Sequence, residues 1–330
     1  TGLLVTLVHT ASYFLVMGAV AVVVYEKLGL RLLRSAWLNL DLLWAGALIA
    51  GRVAAPALSP YTTAFVRFVL ASCVLLPALY LREGRFPRPS GRQLLLFLLL
   101  SLSGVVFFNF FLFSGLRTVT AGRSAVILAF TPAAVAISAS LFLRERVTGR
   151  MIIGLALAFA GAVYTITEGN PAAAWRGGIA PGDFFIIGCV IYWAIYSLIG
   201  RVAMHSFSPL AALAYISALG ALLLLPLALR QGELAMLAEL PVQVWGAITY
   251  LGLGAAGLAH LWYYEGIRTV GNSRAAVFMN FEPAAAILLG LVILGEPVSL
   301  PVAAGAVLVM GGVILTTSRR RSSEGSPESA

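Results

Sequence analysis

Apolar residues run along this chain in long blocks, broken by short segments that carry Pro, Gly or charge. A block of about 20 such residues is long enough to cross the hydrocarbon core of a bilayer as a helix. Read on that criterion, the sequence has an N-terminal block near 3–25 and then ten more. These lie near 38–56, 63–81, 94–114, 122–143, 151–167, 182–200, 209–229, 243–264, 274–294 and 299–317. The pattern predicts an all-α polytopic membrane protein.

The breaks have the chemistry of turns. Arg82, Glu83, Gly84 and Arg85 with Pro87 and Pro89 make one, and Arg144, Glu145 and Arg146 another. Gly169, Asn170 and Pro171 make a third, and Arg230, Gln231, Gly232 and Glu233 a fourth. Ser, Glu and Pro dominate residues 322–330, so 319–330 read as a disordered tail. Basic residues then orient the blocks. The Arg82–Arg92 and Arg144–Arg150 loops, the Arg319–Arg321 run, and Lys27, Arg31 and Arg34 fall on one side if ten helices start inside near residue 38. The loops around 57–62, 115–121, 168–181 and 230–242 are poorer in Lys and Arg, as the positive-inside rule requires of the far side. A cytoplasmic C-terminus follows, in a bacterial inner membrane.

The pattern also repeats. Trp44, Gly51, Arg52, Ser59 and Pro60 recur with the same spacing as Trp193, Gly200, Arg201, Ser208 and Pro209. A second set, Gly115, Arg117, Thr118, Val119, Arg123, Phe130, Pro132 and Glu145, recurs as Gly266, Arg268, Thr269, Val270, Arg274, Phe281, Pro283 and Glu296. Chance likeness between apolar helices would match Ala and Val, but not Trp, Arg, Pro and Glu at fixed offsets. The expectation is two five-helix units, 38–168 and 169–318. An odd number of spans per unit inserts the second upside down, giving an inverted-topology repeat. Residues 1–37 stand outside both units as an extra transmembrane segment with a basic linker, either an accessory eleventh helix or the remnant of another membrane protein.

Trp44, Ser59, Pro60, Arg67, Phe130–Ala134, Leu143 and Glu145, followed by Trp193, Pro209, Asn280–Ala284 and Gly295–Pro297, form an ordered set. With it the chain resembles the EamA-type transporters of the drug/metabolite transporter superfamily over about residues 40–318. The resemblance implies ten helices around a central cavity, and transport of amino acids, related metabolites or drugs, usually outward. Uptake or exchange of a nucleoside or nucleotide sugar is the alternative within transport. A non-transporting scaffold or sensor is the alternative outside it.

Composition sharpens this picture. Of 330 residues, 60% are hydrophobic and 11% charged, too few charges to cover a soluble chain of this size. The net charge of +9 comes almost wholly from Arg placed between apolar blocks, which argues for topology signals and against nucleic-acid contacts. Cys73 and Cys189 lie inside apolar blocks without metal-ligand spacing, and His9, His205 and His260 form no HExxH-like cluster. No GxxxxGK[ST] is present, so the reading carries no cofactor and draws its energy from a gradient. No paired carboxylates, nucleophile or ring of like charges points to an enzyme or a channel. The partners expected are lipid and a small-molecule substrate, with the chain acting as a monomer or homodimer.

A site on a pseudo-two-fold axis should draw side chains from equivalent helices of both halves. That filter selects three pairs: Asn109 with His260, Trp44 with Trp193, and Thr131 with Glu282. Helical spacing adds Tyr196 beside Trp193 and Tyr264 beside His260. The candidate substrate-binding set is Trp44, Asn109, Trp193, Tyr196, His260, Tyr264 and Glu282, with aromatic surface for an organic ligand and a few polar groups to orient it. His260 and Glu282 are the candidates for proton coupling. Arg117, Arg123, Arg268 and Arg274 are expected to anchor helix ends at the interface, or to gate an anionic group. Small residues at Gly154, Ala158, Gly161, Gly305, Gly311 and Gly312 predict close approach of the fifth and tenth helices to a neighbour, in the same chain or across a dimer.

Overall fold

The computed structural model describes residues 36–143, 148–170, 180–203, 207–261 and 282–317. Among them every regular element is a helix. Residues 1–35 of the expected extra segment 1–37, together with Tyr264, Arg268, Arg274, Glu145 and the tail from 318, lie outside the described residues.

Among the described residues the main helices follow in this order. α1 is Ala36–Ala54 and α2 is Pro60–Glu83. α3 runs Gly91–Leu116, with a π-helical stretch at Ser101–Phe107. α4 is built of Ala121–Leu128 and Thr131–Leu143, and α5 is Gly149–Ile166. α6 is Pro181–Ala203 and α7 is Pro209–Gln231. α8 runs Val242–Ala259 and is π-helical over Tyr250–Ala259. α9 is Glu282–Leu294 and α10 is Leu300–Thr317. Seven of these units, α2 to α8, are long and apolar enough to cross a membrane, and α1, α9 and α10 contain shorter apolar helices. The chain is thus a polytopic membrane protein. Leu141, Phe142, Ile153, Leu222, Val292 and Val307 stand exposed on outer faces, where lipid solvates them at no cost.

The sequence explains where the helices begin and end. Ser59 caps α2 by accepting from the Thr62 amide, and Ser208 caps α7 by accepting from the Ala211 amide. Each is followed by a proline at the first helical position, where the missing N–H is not needed. Both helices end on a glycine in the left-handed region, Gly84 (φ 67°) and Gly232 (φ 71°), which other residues adopt only at a cost. Both also carry an internal proline, Pro77 and Pro226. α4 breaks at Ala129 and Phe130, just ahead of Pro132, as its position predicts.

α2 and α7 lie antiparallel. The Ser59 amide at the start of α2 donates to Glu233 Oε2, just past the end of α7, at 2.8 Å. At the other end Ser208 of α7 donates to Glu83, the last residue of α2. Burial raises the Glu233 carboxyl, but the hydrogen bonds from Ser59 and Thr62 and the charge of Arg117 outweigh it and hold the group below its ordinary value. α5 and α10 are likewise antiparallel, packed backbone to backbone: a Cβ on Gly161 would sit 2.8 Å from the Gly305 carbonyl, and one on Gly154 would sit 2.5 Å from that of Gly312. The neighbour left open by the small-residue pattern is therefore within the chain. Further packings come in matched sets: α1 on α8 and α9, α6 on α3 and α4, α2 on α8, and α7 on α3, with α4 also against α9.

Candidate functional site

The two π-helical stretches build the site. In α3 the wider turn ends just before Asn109, whose Nδ2 donates to the Val105 carbonyl at 2.8 Å and the Gly104 carbonyl at 3.3 Å. In α8 it ends just before His260, whose Nδ1 lies 2.7 Å from the Ala255 carbonyl. Gly104 and Ala255 hold equivalent places five residues upstream. In each helix a side chain thus answers a carbonyl of the widened turn, and such π-bulges are frequent at functional sites. A carbonyl only accepts, so Nδ1 of His260 carries a proton and a neutral ring keeps the Nε2 lone pair available.

His260 lies between two tryptophans. Its ring centroid is 6.1 Å from Trp44 of α1, edge-on, and 6.3 Å from Trp193 of α6. Trp193 also touches Tyr196 (5.4 Å) and Phe108 (5.2 Å). Trp44, Trp193 and His260 are half-buried, whereas Tyr196 and Asn109 are buried. Tyr196 reaches its place because Gly104 has no side chain: a Cβ there would collide with the ring. Tyr250 passes over Gly46 in the same way and donates to the Leu43 carbonyl at 3.0 Å. α1, α3, α6 and α8 therefore converge on one aromatic cluster with a histidine at its centre.

Five of the seven predicted residues fall in or beside this cluster: Trp44, Trp193, Tyr196 and His260 in it, and Asn109 next to Phe108. Glu282 opens α9, half-buried, and is not a free carboxylate. Tyr264 lies outside the described residues. Among the described residues no cluster of three or more His, Cys, Asp or Glu could hold a metal.

One residue enters the site that repeat matching passed over. Arg67, in the middle of α2 and 6% exposed, donates from Nη1 to Asn109 Oδ1 at 2.8 Å. An arginine within an apolar span is itself a signal of function.

Of the arginines expected as anchors, Arg117 and Arg123 are bound to protein, while Arg268 and Arg274 lie outside the described residues. Arg117 donates to the Ala55 and Leu58 carbonyls at 3.0 and 2.9 Å, closing the end of α1. Arg123 holds Asp183 in a fork, 2.9 and 2.7 Å, and also reaches Glu168 (2.7 Å) and the Ile166 carbonyl (2.6 Å). Arg52 joins the Leu116 carbonyl (2.6 Å) to Glu296 (3.2 Å), which in turn accepts from the Ala121 amide at 2.9 Å. These contacts latch helix ends together and stand apart from the aromatic cluster.

Comparison with known proteins places this arrangement. A model of the EamA-like transporter family matches residues 39–167 and again 180–318. A Bacillus subtilis (strain 168) protein named as the uncharacterized transporter YyaM is 30% identical over 78% of this chain and 84% of its own length. A Streptantibioticus cattleyicolor protein named as a probable terminal-alkyne amino-acid exporter is 27% identical over 84% of this chain and 92% of its own. A solved crystal structure superposes with a TM-score of 0.60 at 20% identity, over 89% of this chain and 99% of that one, a likeness of fold.

Proposed function

The chain belongs to the EamA-like transporter family, and from that premise we propose that it moves small organic metabolites across the bacterial inner membrane by alternating access, in the outward direction. Amino acids and related compounds are the substrates favoured, in line with the name of the Streptantibioticus relative. One observation carries the reading: a histidine set between two tryptophans where helices of both halves converge, opposite an asparagine in the equivalent place. Aromatic walls with a few oriented polar groups suit an amphipathic organic ligand.

Alternating access is supported by the pairing of equivalent helices. α2 against α7 and α5 against α10 run antiparallel, as two halves inserted in opposite senses require. The matched packings of α1 and α6, and the π-helical stretches of α3 and α8, point the same way. Ten helices in two inverted units of five is the architecture we propose, with the basic Arg82–Arg92 loop and the C-terminus in the cytoplasm. His260 is the candidate for proton coupling, because its Nε2 can take up a proton beside the ligand.

The test is counterflow of radiolabelled amino acids into liposomes holding the purified protein, with and without a pH gradient. We expect uptake above empty liposomes, a fall of about tenfold or more in Trp193→Ala, and loss of the pH response in His260→Ala. Flat traces from folded protein for amino acids, hydrophobic cations and nucleosides alike would sink the proposal. Uptake of nucleosides alone would replace its substrate.

A further inference from the structure

Among the described residues, Arg67 is a buried cation with no anion in contact. Its guanidinium makes one hydrogen bond, to a neutral amide, and its Nε is enclosed without a partner. None of the ion pairs among the described residues includes it. By contrast, Arg52 and Arg123 have carboxylates in contact, and the exposed Arg117 has two backbone carbonyls. An unpaired charge inside a membrane protein is costly, and it persists where a substrate, an ion or a partner compensates it.

The position of the group is constrained from both sides. Asn109 cannot turn away, since its Nδ2 is held by the carbonyls of the π-helical stretch, so Oδ1 stays aimed at Arg67. The guanidinium carbon lies 5.4 Å from the centroid of the Phe68 ring. Beside Asn109, Phe108 packs on Trp193. The second half has Ile216 at the place equivalent to Arg67. The site is therefore positive on one side of its axis and apolar on the other.

Resting on the transporter reading, we infer that Arg67 is the carboxylate-recognition residue of the central site, and that the substrate is a small molecule with one carboxylate on an apolar body. The guanidinium edge that bears Nε is the edge on which a carboxylate binds in a two-pronged fashion. A single arginine balances a single negative charge. A phosphate dianion would bring a surplus charge into a low-dielectric interior, and a hydrophobic cation would meet repulsion from Arg67. The carboxylate takes the Nε edge when the aromatic cluster opens, while the apolar body lies against Trp44 and Trp193.

The experiment compares acids with their own amides: L-leucine, L-phenylalanine and 3-phenylpropionate against leucinamide, phenylalaninamide and 3-phenylpropionamide. The full chain is used, with two readouts: ligand-dependent thermal stabilisation in detergent, and inhibition of counterflow in liposomes. At least one acid should act about tenfold to a hundredfold more strongly than its amide, as charge-assisted hydrogen bonds do. Arg67→Gln should bring that ratio to near one. Arg67→Lys, which keeps the charge and loses the fork, should hold an intermediate ratio and guards against misfolding of the glutamine variant. Acids and amides acting alike on the unsubstituted protein, or no stabilisation by any of the six, would overturn the inference. So would an acid preference that survives in Arg67→Gln. Acid-selective stabilisation that depends on Arg67, without counterflow, would leave this site standing and sink the transport reading. Counterflow indifferent to the carboxylate would do the reverse.

Discussion

At the scale of single residues, the described structure spends its ionisable groups in two ways. Asp183 is fully buried, and both its oxygens are taken by the Arg123 fork, with the Ala180 amide also donating to Oδ2 at 3.1 Å. Glu168 holds the same arginine from solvent, its side chain 74% exposed. The two carboxylates should therefore weigh very differently. Asp183→Ala leaves a mostly buried guanidinium with only the exposed Glu168 and the Ile166 carbonyl and should destabilise by about 3 kcal/mol, whereas Glu168→Ala should fall within about 1 kcal/mol of the unsubstituted protein. Thermal unfolding of the purified variants in one detergent reads the contrast, and equal losses would refute the assignment of Arg123 to Asp183. Arg67 belongs to the second way, a charge kept without a counter-ion among the described residues. Its place was hard to read from sequence for a definite reason. Matching the two halves finds sites made of equivalent pairs, such as Asn109 with His260, and is blind to a charge whose counterpart is Ile216.

Among elements, two devices bring helices together, glycine seams and π-helical turns. The α5–α10 seam is the closer contact, with Gly154 and Gly161 facing Gly312 and Gly305. Without a hydrophobic force between helices in lipid, this close packing is what holds them. A leucine at Gly161 would meet the Gly305 carbonyl and the Val309 amide, each 2.8 Å from its Cβ, and backbone cannot yield as a side-chain tip can. Gly161→Leu should lower the melting temperature by several degrees or prevent purification as a single species. Leucine at Gly246, where a Cβ meets nothing within 4 Å, should do neither. A Gly161 variant as stable as the Gly246 variant would show that the seam is dispensable. The seam could be anticipated, since small residues at helical spacing mark a close approach, though not which helix approaches. The π-helical stretches could not, because a widened turn has no composition of its own. It is visible only in which carbonyl each of Asn109 and His260 reaches.

Over the whole molecule, the helix positions were legible because block length, serine caps and prolines are local properties, and Ser59 with Pro60 and Ser208 with Pro209 start α2 and α7 as their sequence requires. Orientation is a property of the entire chain, and it is where the inverted architecture can be tested. The Ser59–Glu233 contact sets the loop after Gly232 at the same end of the bundle as the start of α2, and the Glu83–Ser208 contact sets the loop after Gly84 at the other. Arg82, Arg85, Arg88 and Arg92 crowd the second end, while Arg230 is the one basic residue of the 230–242 loop. Positive charge is retained on the cytoplasmic side, so the Gly84 loop should lie inside and the Gly232 loop outside. With Cys73 and Cys189 replaced by Ala, a cysteine at Ser90 should resist a membrane-impermeant maleimide in intact cells and react once they are permeabilised. A cysteine at Gln231 should react in both. Labelling of both sites in intact cells would place the two loops on one face, contradicting the antiparallel halves. Labelling of Ser90 alone would keep the architecture and reverse its orientation.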